Sequence, residues 1–332
     1  MGFVKTKPNK VVDFLHKTLS IKPNAVWKAR DFSALALAAA GRNAYIETMN
    51  NDSMPNSDTL HYRIEQDTTV DTLREGFLEL TRRQMRKLKG KHALVIIDYT
   101  YEQFFGKAKT AWVHGYKPAK GSRGCFKMLA LSVVVGDERF FLYAKPVSLI
   151  SDEALELLQA LAYVEELGIR VRMVLIDRGF AASAENIAVL QDAGVKYLGL
   201  YPKRKNIKRT IQDMKRAYKN CKFRIKGVPT RLVIGKMSEE FAWVFVTNLP
   251  RREFLAYLRL YKRRWNIETG FRVHDEAQIR TKSIDIRVRF FLFLVALVLY
   301  NAWKKLGMPT SFKRFVIVQE RGVINAKEQK PT

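Results

Sequence analysis

Two aspartates stand where buried strands of the chain are expected to end. Asp98 follows the apolar run LVII at residues 94–97, and Asp177 closes the run VRMVLID. A carboxylate at the end of a buried strand loses hydration, so it needs solvent, a turn to cap or a bound cation. Two of them on neighbouring strands would suit Mg²⁺ or Mn²⁺, which prefer oxygen ligands. The alternative is that both residues only begin turns, through Asp98-Tyr-Thr and Asp177-Arg-Gly.

A third carboxylate, Glu268, belongs to the segment YKRRWNIETGFR, which is expected to be helical. Tyr261, Arg264 and Glu268 are separated by three, four and seven positions, so a helix places all three on one face. Trp265 lies beside them. One interpretation is a functional face that supplies a third acidic ligand. The other is an ordinary Arg–Glu pair on a helix surface with an aromatic neighbour, and the spacing alone leaves both open.

In combination, these residues resemble the DDE transposases, which have an RNase H-like catalytic core. Tyr261-x2-Arg264-x3-Glu268 is similar to the Y-x2-R-x3-E signature of a large branch of bacterial and archaeal insertion-sequence transposases. The run LIDRGF at residues 175–180 resembles the second-aspartate motif of that branch. The resemblance covers roughly residues 92–305, and three motifs in the right order are more specific than any one of them.

The resemblance implies a transposase that cuts DNA at transposon ends and joins the freed 3′-hydroxyl to target DNA. Asp98, Asp177 and Glu268 would then be catalytic residues and also the ligands of two Mg²⁺ or Mn²⁺ ions, with DNA bound. Such ions, about 4 Å apart, act on the attacking and the leaving oxygen. The chain departs from the branch at Asp275, seven residues after Glu268, where a lysine usually contacts transposon DNA; Arg272 is a nearby cation.

Two other functions share these features. An RNase H-like nuclease or resolvase would use the same carboxylates without strand transfer, and a decayed transposase would only bind DNA. Other chemistries have little support in the sequence. The chain has no GxxxxGK[ST] loop, so no nucleotide cofactor is expected, and no Gly-x-Ser-x-Gly elbow. Its five histidines are scattered along the chain, at positions 16, 61, 92, 114 and 274.

The charge of the chain points to a polyanionic partner. Lys and Arg number 59 against 32 Asp and Glu, for a formal net charge of +27. DNA is the leading partner and an anionic membrane surface the second. The basic stretch 203–224 is expected to follow backbone phosphates, and the Gly- and Lys-rich loop 114–127 either closes over DNA or is an ordinary solvated loop. The candidate DNA-binding residues are Tyr261, Arg264, Arg272, Lys203, Arg204, Lys205, Lys208 and Arg209.

The order of elements predicts an α/β protein with an RNase H-like mixed sheet flanked by helices. Within its 332 residues, residues 1–90 are expected to be a helical DNA-binding domain. Residues 91–201 form the first part of the catalytic core, with the order three strands, helix, strand, helix, strand. Residues 202–250 are a basic, β-rich insertion, 251–307 are the C-terminal helices that carry the glutamate, and 308–332 are a tail. A purely structural role for the N-terminal helices is the alternative.

Several features concern the setting of the protein. Two isolated cysteines, Cys125 and Cys221, argue against a disulfide framework and favour a reducing cytoplasm, where the protein would be associated with the nucleoid. No signal peptide is expected. The apolar run at residues 290–303 is shorter than the roughly 20 residues of a membrane span, so it is interpreted as a core helix, with a peripheral membrane helix as the alternative. Cutting two ends favours a homodimer on DNA.

Overall fold

The structure is a computed structural model that describes residues 9–49, 52–117, 119–238, 240–307 and 310–328, with the backbone alone described for residues 265–272, 274 and 326–328. The helices are α1 (Lys10–Thr18), α2 (Ala29–Arg42), α3 (Ser57–Asp67), α4 (Val70–Gln84), α5 (Glu153–Glu166), α6 (Arg178–Ala181), α7 (Ala184–Asp192), α8 (Lys205–Gln212), α9 (Phe254–Asp275), α10 (Ile286–Lys305) and α11 (Phe312–Glu328). The strands are β1 (His92–Phe104), β2 (Val113–His114), β3 (Gly124–Val135), β4 (Glu138–Val147), β5 (Arg170–Ile176), β6 (Tyr197–Leu200), β7 (Tyr218–Ile225), β8 (Val228–Lys236) and β9 (Ala242–Thr247).

The N-terminal helices form as predicted, and the residues at their ends explain where two of them begin and stop. Helix α2 stops at Arg42 because Asn43 adopts the left-handed conformation, with φ of 50°. Helix α3 is capped by Asn56, whose side chain accepts from the backbone N–H of Thr59, although the next two residues, Ser57 and Asp58, are also of cap-forming types. Neighbouring cap-forming residues compete for one position, and sequence alone does not rank them.

The order of strands and helices predicted for residues 91–201 is confirmed. Strand β1 pairs antiparallel with β3 and parallel with β5, and β5 pairs parallel with β6. The strand order is β2-β3-β1-β5-β6-β9-β8-β7, with β4 also paired to β3. This is the mixed sheet flanked by helices that the sequence predicts.

The segment 202–250 extends this sheet instead of standing apart from it. Strand β9 pairs antiparallel with β6, β8 follows, and β7 is the outer strand. The basic stretch 203–224 divides into helix α8 and strand β7, of which it contains all but the last residue. A basic, β-rich insertion is therefore present, and its strands share the sheet of residues 91–201.

The N-terminal helices share their core with the rest of the chain. One hydrophobic cluster joins side chains such as Phe14 of α1, Leu37 of α2 and Phe77 of α4 to Phe291 of α10 and Phe140 of β4. The rings of Phe14 and Phe291 stack with centroids 5.6 Å apart. A boundary at residue 90 thus does not divide the hydrophobic core.

Helix α10 contains the apolar run and lies in the middle of this cluster. By length and composition it could cross a membrane, yet 83% of its most apolar window is buried inside the protein, in agreement with a core helix. Its Asn301 is fully buried and bonds the backbone of β4 twice. The amide Oδ1 accepts from the N–H of Phe141 at 2.9 Å, and Nδ2 donates to the carbonyl of Phe141 at 2.7 Å.

We expect Asn301→Leu to destabilise the fold by about 2–4 kcal/mol, because it leaves two buried backbone groups of β4 without partners. Urea denaturation would measure the loss. Gln159→Leu makes a similar change at an exposed position of α5 and should stay within about 0.5 kcal/mol of the parent. Equal stability of the two variants would show that the Asn301 amide does not hold β4.

Candidate functional site

The two aspartates predicted to be neighbours lie side by side at one edge of the sheet. Strands β1 and β5 are parallel, and Ile97 pairs with Ile176, so Asp98 and Asp177 follow at the same level. The carboxyl ends of parallel strands lie at the same edge, which is where α/β proteins place their functional residues. The prediction that these strands are adjacent is confirmed.

Asp177 also begins a turn, as the alternative interpretation proposed. It is the N-cap of the short helix α6, and its Oδ1 accepts from the N–H of Phe180 at 2.9 Å. Strand β6 passes close beneath this helix at Gly199, where a Cβ would lie 2.7 Å from the side chains of Ala181 and Ile176. The cap uses one oxygen in one hydrogen bond, and the carboxylate keeps further lone pairs for a ligand.

Asp98 is largely buried and bound to a cation of the chain itself. Its Oδ2 accepts from Nη1 of Arg264 at 2.6 Å, and its Oδ1 accepts from the N–H of Tyr99 at 2.9 Å. Burial raises the pKa of Asp98 from 3.8 to about 6, and the nearby Asp177 acts in the same direction, whereas Arg264 opposes the shift. The buried Asp98 carboxyl is therefore harder to ionise than a free one, because Arg264 offsets only part of the cost of burying its charge.

Helix α9 brings Arg264 to this point. Nε of Arg264 donates to the hydroxyl of Tyr261 at 3.0 Å, and the Tyr261 side chain is 1% exposed. The Tyr261 ring packs against Phe245 with centroids 5.1 Å apart. DNA binding by these two residues stays a prediction; the structure places Tyr261 in the core and Arg264 on Asp98.

Glu268 lies one helical turn beyond Arg264 on the same helix, so the backbone directs both positions to one face of α9. The side chains of Glu268 and of two other residues named from the sequence, Trp265 and Arg272, lie outside the described part of the chain. Among the described side chains, no three His, Cys, Asp or Glu residues meet at one point. The two described carboxylates are hard oxygen donors on adjacent strand ends, and they fit Mg²⁺ or Mn²⁺.

A cleft of about 510 Å³ opens beside Asp177. The Lys203 ammonium lies in it, 5.0 Å from the ring centre of Phe241. Burial lowers the pKa of Lys203, as do the neighbouring cations Arg178 and Lys208. A bound anion would relieve this repulsion. Residues from β6, β9 and α9 complete the walls, among them Tyr201, Trp243, Tyr261 and Arg264.

The other cations named from the sequence lie on or next to α8. Arg204 stands over the ring of Tyr201 at 5.9 Å from its centre. Lys205, Lys208 and Arg209 have exposed side chains on that helix. The structure thus brings Lys203 to the cleft and leaves the others as a solvent-facing basic surface that continues from it.

Sequence reasoning missed the aromatic side of the cleft. Phe241, just before β9, and Trp243 line the cleft. Phe245 is next on the same face of the strand, and its ring stacks on that of Trp243 with centroids 5.8 Å apart. The period of two in FAWVF was the signal, because it places three aromatic rings on one face of a strand. Arg178 was also missed, although it follows Asp177 directly.

Comparisons with known proteins identify the family of the chain and agree with its fold. The family model described as a transposase DDE domain matches residues 89–301. The fold is similar to that of a piggyBac transposase, solved by cryo-EM as a synaptic complex with hairpin DNA. The TM-score is 0.62 at 14% sequence identity, and the match covers 98% of this chain and 80% of that one. No curated protein sequence matches the chain.

The raised pKa of Asp98 predicts a pH effect on stability. The folded state holds the Asp98 proton up to about pH 6 and the unfolded chain only to about 3.8, so this contribution to stability is lost as the pH rises between those values. At about 1.4 kcal/mol per pKa unit, the loss is about 3 kcal/mol. Denaturation in EDTA from pH 4 to 7 should show it as a difference between the parent and Asp98→Asn.

Asp137→Asn, in the exposed turn between β3 and β4, is the matched control. Its stability should follow that of the parent across the same range. A stability difference between the parent and Asp98→Asn that does not change with pH would contradict the raised pKa.

Proposed function

Because the chain belongs to the transposase DDE domain family, we propose that it cleaves DNA at transposon ends and joins the freed 3′-hydroxyl to target DNA in a metal-dependent reaction. The observation that carries the proposal is that Asp98 and Asp177 lie at the ends of two paired strands. Helix α9 is joined to Asp98 by the hydrogen bond from Arg264. Glu268, one turn further along α9, is the proposed third carboxylate. Mg²⁺ or Mn²⁺, with two ions per site when DNA is bound, would supply Lewis acidity toward the phosphodiester.

The residues of the chain have separate tasks in this proposal. Asp98 and Asp177 hold the cations, and the cap that Asp177 makes to Phe180 fixes the direction of its carboxylate. Arg264 neutralises Asp98 in the free protein. A DNA phosphate competes for the same guanidinium, since an Arg fork binds phosphate with two hydrogen bonds. We propose that Arg264 moves between these two anions, so that DNA binding frees an oxygen of Asp98.

The basic surface is the proposed path of the DNA. Lys203 would meet phosphate in the cleft beside Asp177, and Arg204, Lys205, Lys208 and Arg209 would continue the contact along α8. Such contacts give affinity without reading sequence, and Arg272 is proposed to join them. The N-terminal domain of residues 1–90 is proposed to recognise the transposon end. The protein would act in the cytoplasm, associated with the nucleoid.

Two rival functions predict different products from one experiment. Purified protein is incubated with Mg²⁺, DNA that carries a transposon end and a target plasmid. Joined end–target products support transposition, nicks without joining support an RNase H-like nuclease or resolvase, and binding without cleavage supports a decayed transposase. Only the joined product agrees with the proposal.

We expect Asp98→Asn, Asp177→Asn and Glu268→Gln each to abolish cleavage while DNA binding remains, because each removes one anionic oxygen ligand without much change of shape. Asn is a good N-cap, so Asp177→Asn keeps the start of α6. Gel assays of cleavage and of binding are run in parallel on each variant.

The matched control is Asp152→Asn. Asp152 caps α5 by accepting from the N–H groups of Ala154 and Leu155, as Asp177 caps α6. This variant should cleave like the parent. Full cleavage by any one of the three carboxylate variants would remove that residue from the site.

The assembly is proposed to depend on DNA. One site per chain must serve two ends, which favours a dimer, but a net charge of +27 opposes association of free protein until phosphates neutralise it. We expect light scattering at moderate salt to give a monomer for the free protein and a dimer with end duplexes. A stable dimer without DNA, or one protomer on each unpaired duplex, would contradict this expectation.

A further inference from the structure

An exposed pair of tyrosines lies just beyond the candidate catalytic edge. The side chains of Tyr101 and Tyr116 are 39% and 59% exposed, and their rings touch with centroids 5.0 Å apart at 57°. Phe105, 51% exposed, belongs to the same stretch of chain. Exposed aromatic rings in mutual contact offer flat apolar area to a partner, and they have no evident role in the core.

The loop from residue 104 to residue 127, which contains Tyr116, carries charges of one sign, while the carboxylates of Asp98 and Asp177 also act on Tyr101. Residues 104–127 contain six cations and no Asp or Glu. Five of the cations are exposed: Lys107, Lys109, Lys117, Lys120 and Arg123. An apolar surface within such a field suits a partner that combines flat rings with negative charge. Nucleic acid has both.

The Tyr101–Tyr116 pair stands on a rigid support. Tyr101 lies three residues after Asp98 on the same strand, and the next residue, Glu102, forms an ion pair with Arg289 of α10 that is almost wholly buried. Tyr116 follows β2, where Nε2 of His114 lies 2.7 Å from the carbonyl of Val147. The two rings are therefore held in place before a ligand arrives, which lowers the entropic cost of binding.

We propose that the Tyr101–Tyr116 pair is a stacking site for unpaired nucleotides of the DNA strand at the catalytic edge. Every base has an apolar face that stacks on an aromatic ring, and the surrounding lysines meet the phosphates. In a duplex these faces are covered by neighbouring bases, so the site selects unpaired nucleotides over paired ones. The inference rests on the proposed function for the identity of the ligand and adds a site that the carboxylates do not provide.

The test measures binding of a labelled single-stranded oligonucleotide and of the matched duplex by fluorescence anisotropy, in EDTA, with the full-length protein. We expect Tyr101→Leu/Tyr116→Leu to weaken single-strand binding by at least about fivefold, the lower end of the effect of losing one stacked base, and to leave duplex binding little changed. Tyr101→Phe/Tyr116→Phe keeps the rings and should bind like the parent. Leu158→Ala, which removes an exposed apolar side chain from α5, is the matched control.

Three results would overturn the proposal: unchanged single-strand binding by the double leucine variant, an equal loss for single strand and duplex, or the same loss in Leu158→Ala. Unchanged unfolding temperatures of the variants show that a loss of binding is not a loss of fold. Since binding is measured without metal, it is independent of cleavage. A protein that stacks single strands but never joins ends would refute the proposed function alone, and one that joins ends without help from the tyrosines would refute this inference alone.

Discussion

Two carboxylates held side by side at the edge of a sheet set the requirement that the rest of the architecture meets. Asp98 and Asp177 repel each other, and burial strengthens the repulsion because the local dielectric is low. A cation from another element has to offset this repulsion, and Arg264 of α9 is that cation. That helix needs a surface to lie on, which the strands of the insertion provide: Val233 of β8 and Phe245 of β9 pack with Tyr257 and Tyr261 of α9 in one hydrophobic cluster.

This arrangement explains why the insertion continues the sheet. If the strands of residues 202–250 formed a separate module, α9 would lose the apolar face beneath Tyr257 and Tyr261, and Arg264 would lose its direction. Tyr257 also ties the start of the helix to the preceding turn, because its hydroxyl donates to the carbonyl of Pro250 at 2.7 Å. The geometry of the acidic pair thus depends on strands far from it in the sheet.

The sequence predicts the parts of this design that are local. Solid apolar runs identify β1 and β5, and the spacing of Tyr261, Arg264 and Glu268 gives the phase of α9. The contact between Arg264 and Asp98 spans 166 positions, and no local pattern encodes it. The pairing of β6 with β9 is equally non-local, which is why residues 202–250 could be recognised as strands but not placed. The shared core of the N-terminal helices escaped prediction for the same reason, since an amphipathic helix does not specify which surface covers its apolar face.

The edge strands β4 and β7 are protected in different ways from pairing with a strand of another molecule. At β4 the side-chain amide of Asn301 on α10 forms hydrogen bonds with the N–H and C=O of Phe141, which a neighbouring strand would otherwise bind. At β7 the outer strand exposes Lys219, Lys222 and Arg224, and like charges discourage a second molecule from adding its own strand there. The charge repulsion at β7, unlike the Asn301 hydrogen bonds at β4, depends on ionic strength. High salt screens the repulsion between the cations of β7, so aggregation through paired edge strands should begin there. Low ionic strength prevents this aggregation but strengthens non-specific binding to polyanions.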